Sequence, residues 1–247
     1  MVATCTGSIW VVRHGERSDV DPEWEKTAAR PHDPPLTALG HVQAAATATV
    51  LAGEAIEAIF SSPFLRCMQT AAAIARSLGL QIRIEPGLSE ILNASWYSSD
   101  PVDEAMSDDA LAAAVGDALI DRSYVPLFDT AARRAEQHGG NGATGTVDYE
   151  LLTFPEPTPL AAADRYARTL RALQRATPFA LLVTHGFGVQ AIAEACDDVE
   201  VLECDFCALT RLHRQAQDAP WSCDVLCRST HIVGLTATGT AGPYEPA

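Results

Sequence analysis

The chain has 247 residues, of which 47% are hydrophobic and 20% charged, and these values argue against a disordered or fibrous protein. Its 17 basic and 32 acidic side chains give a formal net charge of −15 at pH 7, which argues against nucleic acids and anionic membranes as partners. No apolar run reaches the ~18–20 residues of a membrane span, and no basic residue precedes Arg13 to form a signal peptide. We therefore expect a cytoplasmic globular protein with a single domain over residues 1–247.

Short apolar runs alternate with longer helical segments along the first ninety residues. The predicted strands are short and β-prone, and they cover Ile9–Val12, Ala58–Phe60 and Gln81–Glu85. Thr37 is placed to cap a helix over residues 38–52, and a second helix over 63–79 has a proline at its start and a glycine at its end. Residues 18–35 contain four prolines and predict a loop between these elements.

The second half of the chain contains an insertion and then returns to the same alternation. Within the insertion, residues 98–150, we expect a small helical part over Ala105–Ile120 and a glycine-rich surface loop over 131–146. A helix over Ala161–Arg175 follows, and its predicted solvated side contains Arg165, Arg168 and Arg171. The later strands are predicted at Phe179–Val183, Cys207–His213 and Trp221–Val233, before a loose tail over 236–247. This order predicts an α/β fold, a three-layer α/β/α domain with a mostly parallel, mixed sheet flanked by helices.

Seven cysteines without a secretion signal favour free thiols over disulfides. The spacings Cys204-x-x-Cys207 and Cys223-x-x-x-Cys227 are compatible with a four-thiolate zinc site. An offset of three along the expected strand, however, sends the first two side chains to opposite faces. A zinc-binding interaction domain is therefore the less favoured alternative, and we expect neither a metal nor a cofactor.

Two predicted strands run directly into histidine-containing loops, Arg13-His14-Gly15-Glu16-Arg17 and Thr184-His185-Gly186. Ligands of open α/β sheets bind beyond the carboxyl ends of the strands, so we expect both histidines in one crevice. Arg66 lies on the first turns of the helix after a third strand, at the same edge of the sheet. Three arginines at strand ends, in a chain of such negative charge, indicate a compact anionic ligand such as a phosphoryl group.

Four short motifs follow one another along the chain. They are Arg13-His14-Gly15-Glu16, Leu36-Thr37-x-x-Gly40-x-x-Gln43-Ala44, Ser61-Ser62-Pro63-x-x-Arg66-x-x-Gln69-Thr70 and Thr184-His185-Gly186. In content and order they resemble the first branch of the histidine phosphatase (phosphoglycerate mutase-like) superfamily. The segments around Arg17, Asp33-Pro34-Pro35-Leu36 and Leu65-Arg66-Cys67 are similar in more detail to the phosphatase domain of the suppressor of T-cell signalling (ubiquitin-associated and SH3-containing) proteins.

The resemblance implies a histidine acid phosphatase-type phosphoric monoester hydrolase that uses neither metal nor cofactor. It implies that His14 is the nucleophile and that Glu90 is the proton donor. The implied phosphate-binding residues are Arg13, Arg17, Arg66 and His185, of which His185 also takes part in catalysis. Glu85 is the competing proton donor, and Glu90 is favoured because it follows the turn-forming Pro86-Gly87.

Departures from the relatives narrow the expected activity. Phosphoglycerate mutases continue from their acid into Arg-x-Tyr-Gly, whereas Glu90 continues into Ile91-Leu92-Asn93-Ala94, which argues against a mutase. The expected partner is a phosphomonoester substrate, either phosphotyrosine in a protein or a small phosphorylated metabolite. The alternative is a catalytically idle module that binds a phosphorylated partner, because a fold does not fix a function. The sequence leaves the oligomeric state open, a dimer included.

Overall fold

The computed structural model describes residues 6–97, 99–103, 107–130, 150–197, 199–201 and 203–237. The strands in these ranges are β1 (Gly7–Arg13), β2 (Ala58–Ser61), β3 (Ile82–Ile84), β4 (Phe128–Asp129), β5 (Glu150–Leu151), β6 (Phe179–Thr184), β7 (Leu209–Arg214) and β8 (Ser222–Arg228). The α-helices there are α1 (Pro22–Glu25), α2 (Ala38–Leu51), α3 (Leu65–Leu78), α4 (Asp108–Val115), α5 (Pro159–Ala176) and α6 (Gly186–Glu194). Single 3-10 turns occupy Ser18–Val20, Pro86–Leu88 and Asp117–Leu119.

One six-stranded sheet has the order β3-β2-β6-β1-β7-β8. Strands β3, β2, β6 and β1 are parallel, whereas β7 is antiparallel to β1 and β8 is antiparallel to β7. The first four strands therefore deliver their carboxyl ends to one edge of the sheet. The mostly parallel, mixed sheet predicted from the sequence is confirmed.

Helices cover both faces of this sheet, as the alternation of side chains along β1 shows. Trp10 and Val12 pack in a hydrophobic cluster with residues of α2, α3 and α4, whereas Ile9 and Val11 pack with residues of α5 and α6. Successive side chains of a strand point to opposite faces, so a strand that is apolar at every position must be covered twice. The three-layer arrangement follows from this requirement. None of the helices in the described ranges has the length and apolar character needed to cross a membrane.

The helix boundaries follow from local capping chemistry. Thr37 accepts a hydrogen bond from the amide of Gly40 at 2.9 Å and begins α2, as predicted. Gly79 has a φ of 66° and ends α3, where a residue with a Cβ would be strained. Gly116, with a φ of 111°, ends α4 earlier than the helix predicted over Ala105–Ile120.

Several local predictions were wrong. The segment 18–35, predicted as a loop, contains α1, which Asp21 caps by accepting from the Glu23 amide. The strand predicted from Cys207 begins only at Leu209, because Cys207 has a φ of 56°. The strand predicted over 221–233 ends at Arg228. The surface loop predicted over 131–146 lies outside the described residues, and so does the tail from residue 238 onwards.

The four cysteines of the two spacings considered for zinc are free thiols in the structure. In the part of the chain that the structure describes, no group of three or more His, Cys, Asp or Glu side chains is arranged to hold a metal ion. The left-handed turn at Cys207 replaces the strand geometry expected for the Cys204-x-x-Cys207 spacing.

Candidate active site

The loop after β1 holds His14 against the start of α2. A Cβ on Gly15 would lie 2.7 Å from the carbonyl oxygen of Gly40, so the two backbones can approach this closely only because both residues are glycines. The amide of Gly15 donates to Thr70 Oγ1 at 3.1 Å, and the amide of His14 donates to the Thr184 carbonyl at 2.9 Å. The backbone on both sides of His14 is thereby fixed to α3 and β6.

The His14 ring is buried and has one defined tautomer. Its Nδ1 lies 2.8 Å from the Gly15 carbonyl oxygen, which can only accept, so Nδ1 carries the hydrogen and Nε2 keeps its lone pair. Burial lowers the pKa of His14 well below its ordinary value, and the positive charges of Arg66, Arg13 and Arg17 lower it further. A neutral imidazole with a lone pair on Nε2 is the form that can attack phosphorus.

His185, at the end of β6, lies beside His14 with 5.3 Å between the ring centroids. Arg66 Nη2 is 3.1 Å from His185 Nδ1, and a guanidinium can only donate, so Nδ1 is the acceptor. The opposite ring nitrogen, Nε2, then donates to Ser62 Oγ at 2.9 Å. Burial lowers the pKa of His185 well below its ordinary value, and the nearby Arg66 charge adds to this.

Arg66 is the most buried cation of the site, with only 1% of its surface exposed. Its guanidinium lies 4.7 Å from the centre of the Phe64 ring, and Nη1 is 3.9 Å from Asp33 Oδ1. Its Nε and Nη1 find no hydrogen-bond acceptor among the described residues. Buried donors are normally satisfied, so two unpaired donors on one buried guanidinium indicate a place for an anion.

Arg13 and Arg17 are the two remaining arginines of the predicted site. Arg13 Nη1 donates to the Cys204 carbonyl, and its guanidinium lies 4.2 Å from the centre of the Phe206 ring. Arg17 is different, since its side chain is 37% exposed and its Nε is 2.8 Å from Asp19 Oδ1. Its charge helps to lower the pKa of His14, and its partly exposed side chain puts Arg17 at the rim of the site.

The two glutamates that competed for the role of proton donor have different surroundings. Glu85 is fully buried, and its carboxylate accepts from the Tyr124 hydroxyl at 2.7 Å. It also accepts from the backbone amides of Gly87, Leu127 and Phe128. Burial raises the pKa of Glu85, against the effect of these donors. With both oxygens engaged away from the histidines, Glu85 is placed to anchor a turn.

Glu90 lies at the histidine pair. Its Oε2 is 3.6 Å from His185 Nδ1, and its Oε1 accepts from the Ile91 amide at 3.0 Å. The side chain is partly exposed, so its carboxyl group is open to a ligand. The structure thus brings Glu90, His14, His185, Arg13 and Arg66 together, with Arg17 at the rim and Glu85 outside.

Sequence reasoning missed several residues of the site. The ring centroids of Phe206 and His14 are 5.7 Å apart, and the Ser62 hydroxyl is hydrogen-bonded to His185. Arg165, predicted on the solvated side of its helix, is buried, so that prediction was wrong. The signal was present, because Arg165 shares its helix face with Ala162, Tyr166 and Thr169, which are also buried.

Comparison with known proteins finds a matching family model and several relatives. A family model described as the histidine phosphatase superfamily (branch 1) matches residues 9–137. The human ubiquitin-associated and SH3 domain-containing protein A is 31% identical over 205 residues, which cover 68% of this chain and 30% of that protein. The 55 kDa subunit of Saccharomyces cerevisiae transcription factor tau is 35% identical over 98 residues, 38% of this chain and 21% of that protein. The chain therefore spans less than a third of the length of these two relatives.

Solved structures share the fold at lower sequence identity. The ecdysone phosphate phosphatase of Bombix mori, solved with tungstate, has a TM-score of 0.62 and 20% identity, over 98% of this chain and 95% of that chain. The mycobacterial glucosyl-3-phosphoglycerate phosphatase, solved with VO3, has a TM-score of 0.55 and 20% identity, over 89% of this chain and 98% of that chain.

Proposed function

The chain belongs to branch 1 of the histidine phosphatase superfamily, and on that basis we propose that it is a metal-independent phosphomonoesterase working through a phosphohistidine at His14. One observation carries the proposal. A buried, neutral histidine with its Nε2 lone pair unprotonated lies beside a buried guanidinium, Arg66, that has two donors without acceptors in the described residues. A nucleophile near cationic donors that can hold phosphoryl oxygens is what phosphoryl transfer requires.

In the first step, Arg66 and Arg13 hold the phosphoryl oxygens while His14 Nε2 attacks phosphorus in line with the leaving oxygen. The bond from phosphorus to nitrogen forms as the bond to the leaving oxygen breaks, and protonated Glu90 gives its proton to that oxygen. Charge on the equatorial oxygens is stabilised by guanidiniums already fixed in place. The Gly15 carbonyl accepts from Nδ1 and supports the positive charge that the ring acquires.

In the second step, the Glu90 carboxylate takes a proton from water as the water oxygen attacks the phosphohistidine. Inorganic phosphate leaves, and His14 returns to its neutral form. His185 orients Arg66 through Nδ1 and is itself held through Nε2 by Ser62.

For the substrate, we propose an ester with an aromatic or otherwise flat apolar group, phosphotyrosine included, or else a small phosphorylated metabolite. Phe206 forms an apolar wall next to His14 and Arg13, which suits a flat leaving group. Both kinds of ester occur in the names of the structural neighbours, an ecdysone phosphate and a sugar phosphoglycerate. Turnover of phosphotyrosine peptides, steroid phosphates and sugar phosphates, compared by kcat/KM, ranks these classes.

The test is to trap the intermediate. We expect a rapid quench of the wild-type protein with p-nitrophenyl phosphate to give one acid-labile phosphate, located by mass spectrometry on His14. His14→Ala should give none, and His41→Ala, which changes an exposed histidine on α2, should behave as wild type. Turnover without any phosphohistidine would refute the covalent route. Binding of vanadate with neither turnover nor phosphohistidine would instead favour the catalytically idle module.

A further inference from the structure

A buried ion pair lies beneath the segment that contains Glu90. Arg165 on α5 and Glu156, in the loop before that helix, each have only 5% of their side chain exposed. Arg165 Nε is 2.8 Å from Glu156 Oε1, and Arg165 Nη2 is 3.2 Å from Glu156 Oε2. Such a pair is bidentate, and its geometry is fixed by the planar guanidinium.

The remaining donors of Arg165 bind the backbone on both sides of the proposed proton donor. Its Nη1 donates to the carbonyl oxygens of Gly87 at 2.7 Å and Ser89 at 2.9 Å, and its Nη2 donates to the carbonyl oxygen of Glu90 at 3.1 Å. All five N–H donors of the guanidinium are therefore used.

Glu156 holds the same segment from its other end. Its Oε2 accepts from the Leu92 amide at 2.8 Å, and its own amide donates to the Leu92 carbonyl at 2.8 Å. Together the pair contacts the backbone of Gly87, Ser89, Glu90 and Leu92. The Glu90 carboxylate itself accepts from the neighbouring Ile91 amide. Its distance of 3.6 Å to His185 therefore depends on where this backbone is held.

We infer that Arg165 and Glu156 are positioning residues that keep the Glu90 carboxyl group within reach of the leaving oxygen. This inference rests on the proposed function of Glu90. A buried ion pair is a weak source of stability, because desolvation offsets the attraction between its charges. Here the two charged groups form hydrogen bonds with the backbone of a single segment, the one that contains Glu90. A lysine cannot replace this guanidinium, because one ammonium cannot donate to three carbonyls and a carboxylate at once.

We expect the loss of the Arg165–Glu156 pair to affect esters with poor leaving groups more than esters with good ones. A proton donor matters for a poor leaving group such as phenolate and matters little for 2,4-dinitrophenolate, which departs without a proton. A displacement of about 1 Å at a catalytic group can cost about 100-fold in rate. Loss of the Arg165–Glu156 pair should therefore lower kcat/KM for phenyl phosphate and spare kcat/KM for 2,4-dinitrophenyl phosphate. The ratio kcat/KM is the readout because it reports the first step, whereas kcat also includes the attack of water, in which Glu90 acts whichever ester was used. A general loss of folded protein would slow both esters equally.

The experiment compares Arg165→Lys with Glu90→Gln, their double variant and the control Arg168→Lys. Arg168 lies on the same helix, is 44% exposed, and pairs with Glu150 and Asp164 at the surface. We expect Arg165→Lys to lower kcat/KM for phenyl phosphate by about 10- to 100-fold and kcat/KM for the dinitrophenyl ester by less than about threefold. The double variant should be no slower than Glu90→Gln, because a proton donor that is absent needs no positioning.

The outcomes separate the inference from the proposed function. An equal fall in kcat/KM for both esters with Arg165→Lys, or additive losses in the double variant, would overturn the positioning role, while the leaving-group effect of Glu90→Gln would still support Glu90 as the proton donor. Lack of any leaving-group effect in Glu90→Gln would overturn both. If Arg165→Lys does not fold, Glu156→Gln gives the same comparison, since the amide keeps one acceptor oxygen but loses the charge paired with Arg165.

Discussion

Replacing Arg66 by lysine tests whether the buried guanidinium binds the phosphoryl group in the transition state. Arg66 is 1% exposed, and its Nη2 donates to His185 while Nε and Nη1 lack acceptors among the described residues. A lysine ammonium keeps the positive charge but cannot present several donors in one plane. The variant Arg66→Lys therefore removes directed hydrogen bonds without changing the net charge of the pocket.

The expected loss follows from the two free donors. A hydrogen bond to a charged group contributes about 1.5–3 kcal/mol, so two such bonds to the phosphoryl oxygens contribute about 3–6 kcal/mol. Each ~1.4 kcal/mol of transition-state stabilisation corresponds to a tenfold change in rate. We therefore expect kcat/KM for p-nitrophenyl phosphate to fall by about 150- to 20,000-fold.

Arg17→Lys is the matched control, because the same substitution is made at a cation on the rim of the site. Arg17 is 37% exposed and already ion-paired with Asp19, and exposed ion pairs contribute about 0–1 kcal/mol, so we expect a loss of less than about tenfold. Steady-state kinetics give both values, and circular dichroism verifies folding. A loss below about fivefold in a folded Arg66→Lys protein, or equal losses in the two variants, would refute the assignment of Arg66.

His14→Ala should abolish hydrolysis of p-nitrophenyl phosphate while the circular dichroism spectrum stays that of a folded protein; retention of a tenth of the rate would contradict a covalent role. Activity requires neutral His14, whose pKa lies well below 6.5, so kcat/KM should not fall as pH is lowered through 6.5. Arg66→Met should move the acid limb of that pH profile upwards, because it removes a positive charge that lowers the pKa of His14. Turnover should survive EDTA, and vanadate should inhibit it, since fixed guanidiniums favour a trigonal, highly charged oxyanion; loss with EDTA and recovery with zinc would oppose this. Glu85→Gln should lower the free energy of unfolding by about 1–3 kcal/mol in denaturant titrations and leave the preference among leaving groups unchanged.

Much of the fold could be predicted because its signals are local. The apolar run ending at His14 and the run ending at His185 each form a parallel strand, since only a doubly covered strand is apolar at every position. Thr37 marks the start of α2 because its side chain caps the helix, and Gly79 marks the end of α3 because it has no side chain. Motif order then brings both histidines and Arg66 to one edge of the sheet.

The choice between Glu85 and Glu90 could only be argued from a nearby turn, because the deciding contacts are distant in sequence. Glu85 is engaged by Tyr124 and the amides of Leu127 and Phe128, about forty positions later in the chain. Arg165 was misplaced for a related reason. Arginine on a helix is usually solvated, and only Glu156 and the carbonyls of the Glu90 segment make its burial favourable.

The two buried arginines differ in how their donors are used, and this difference separates binding from positioning. All five N–H groups of Arg165 donate to Glu156 or to backbone carbonyls, so none is available to a ligand. Arg66 has the same chemistry and is as deeply buried, yet two of its donor atoms find no acceptor among the described residues. Leaving buried donors unpaired costs free energy that an anion would recover. A phosphoryl group next to His14 is the anion that we propose for this position, while the role that we infer for Arg165 is exerted through the backbone that it holds.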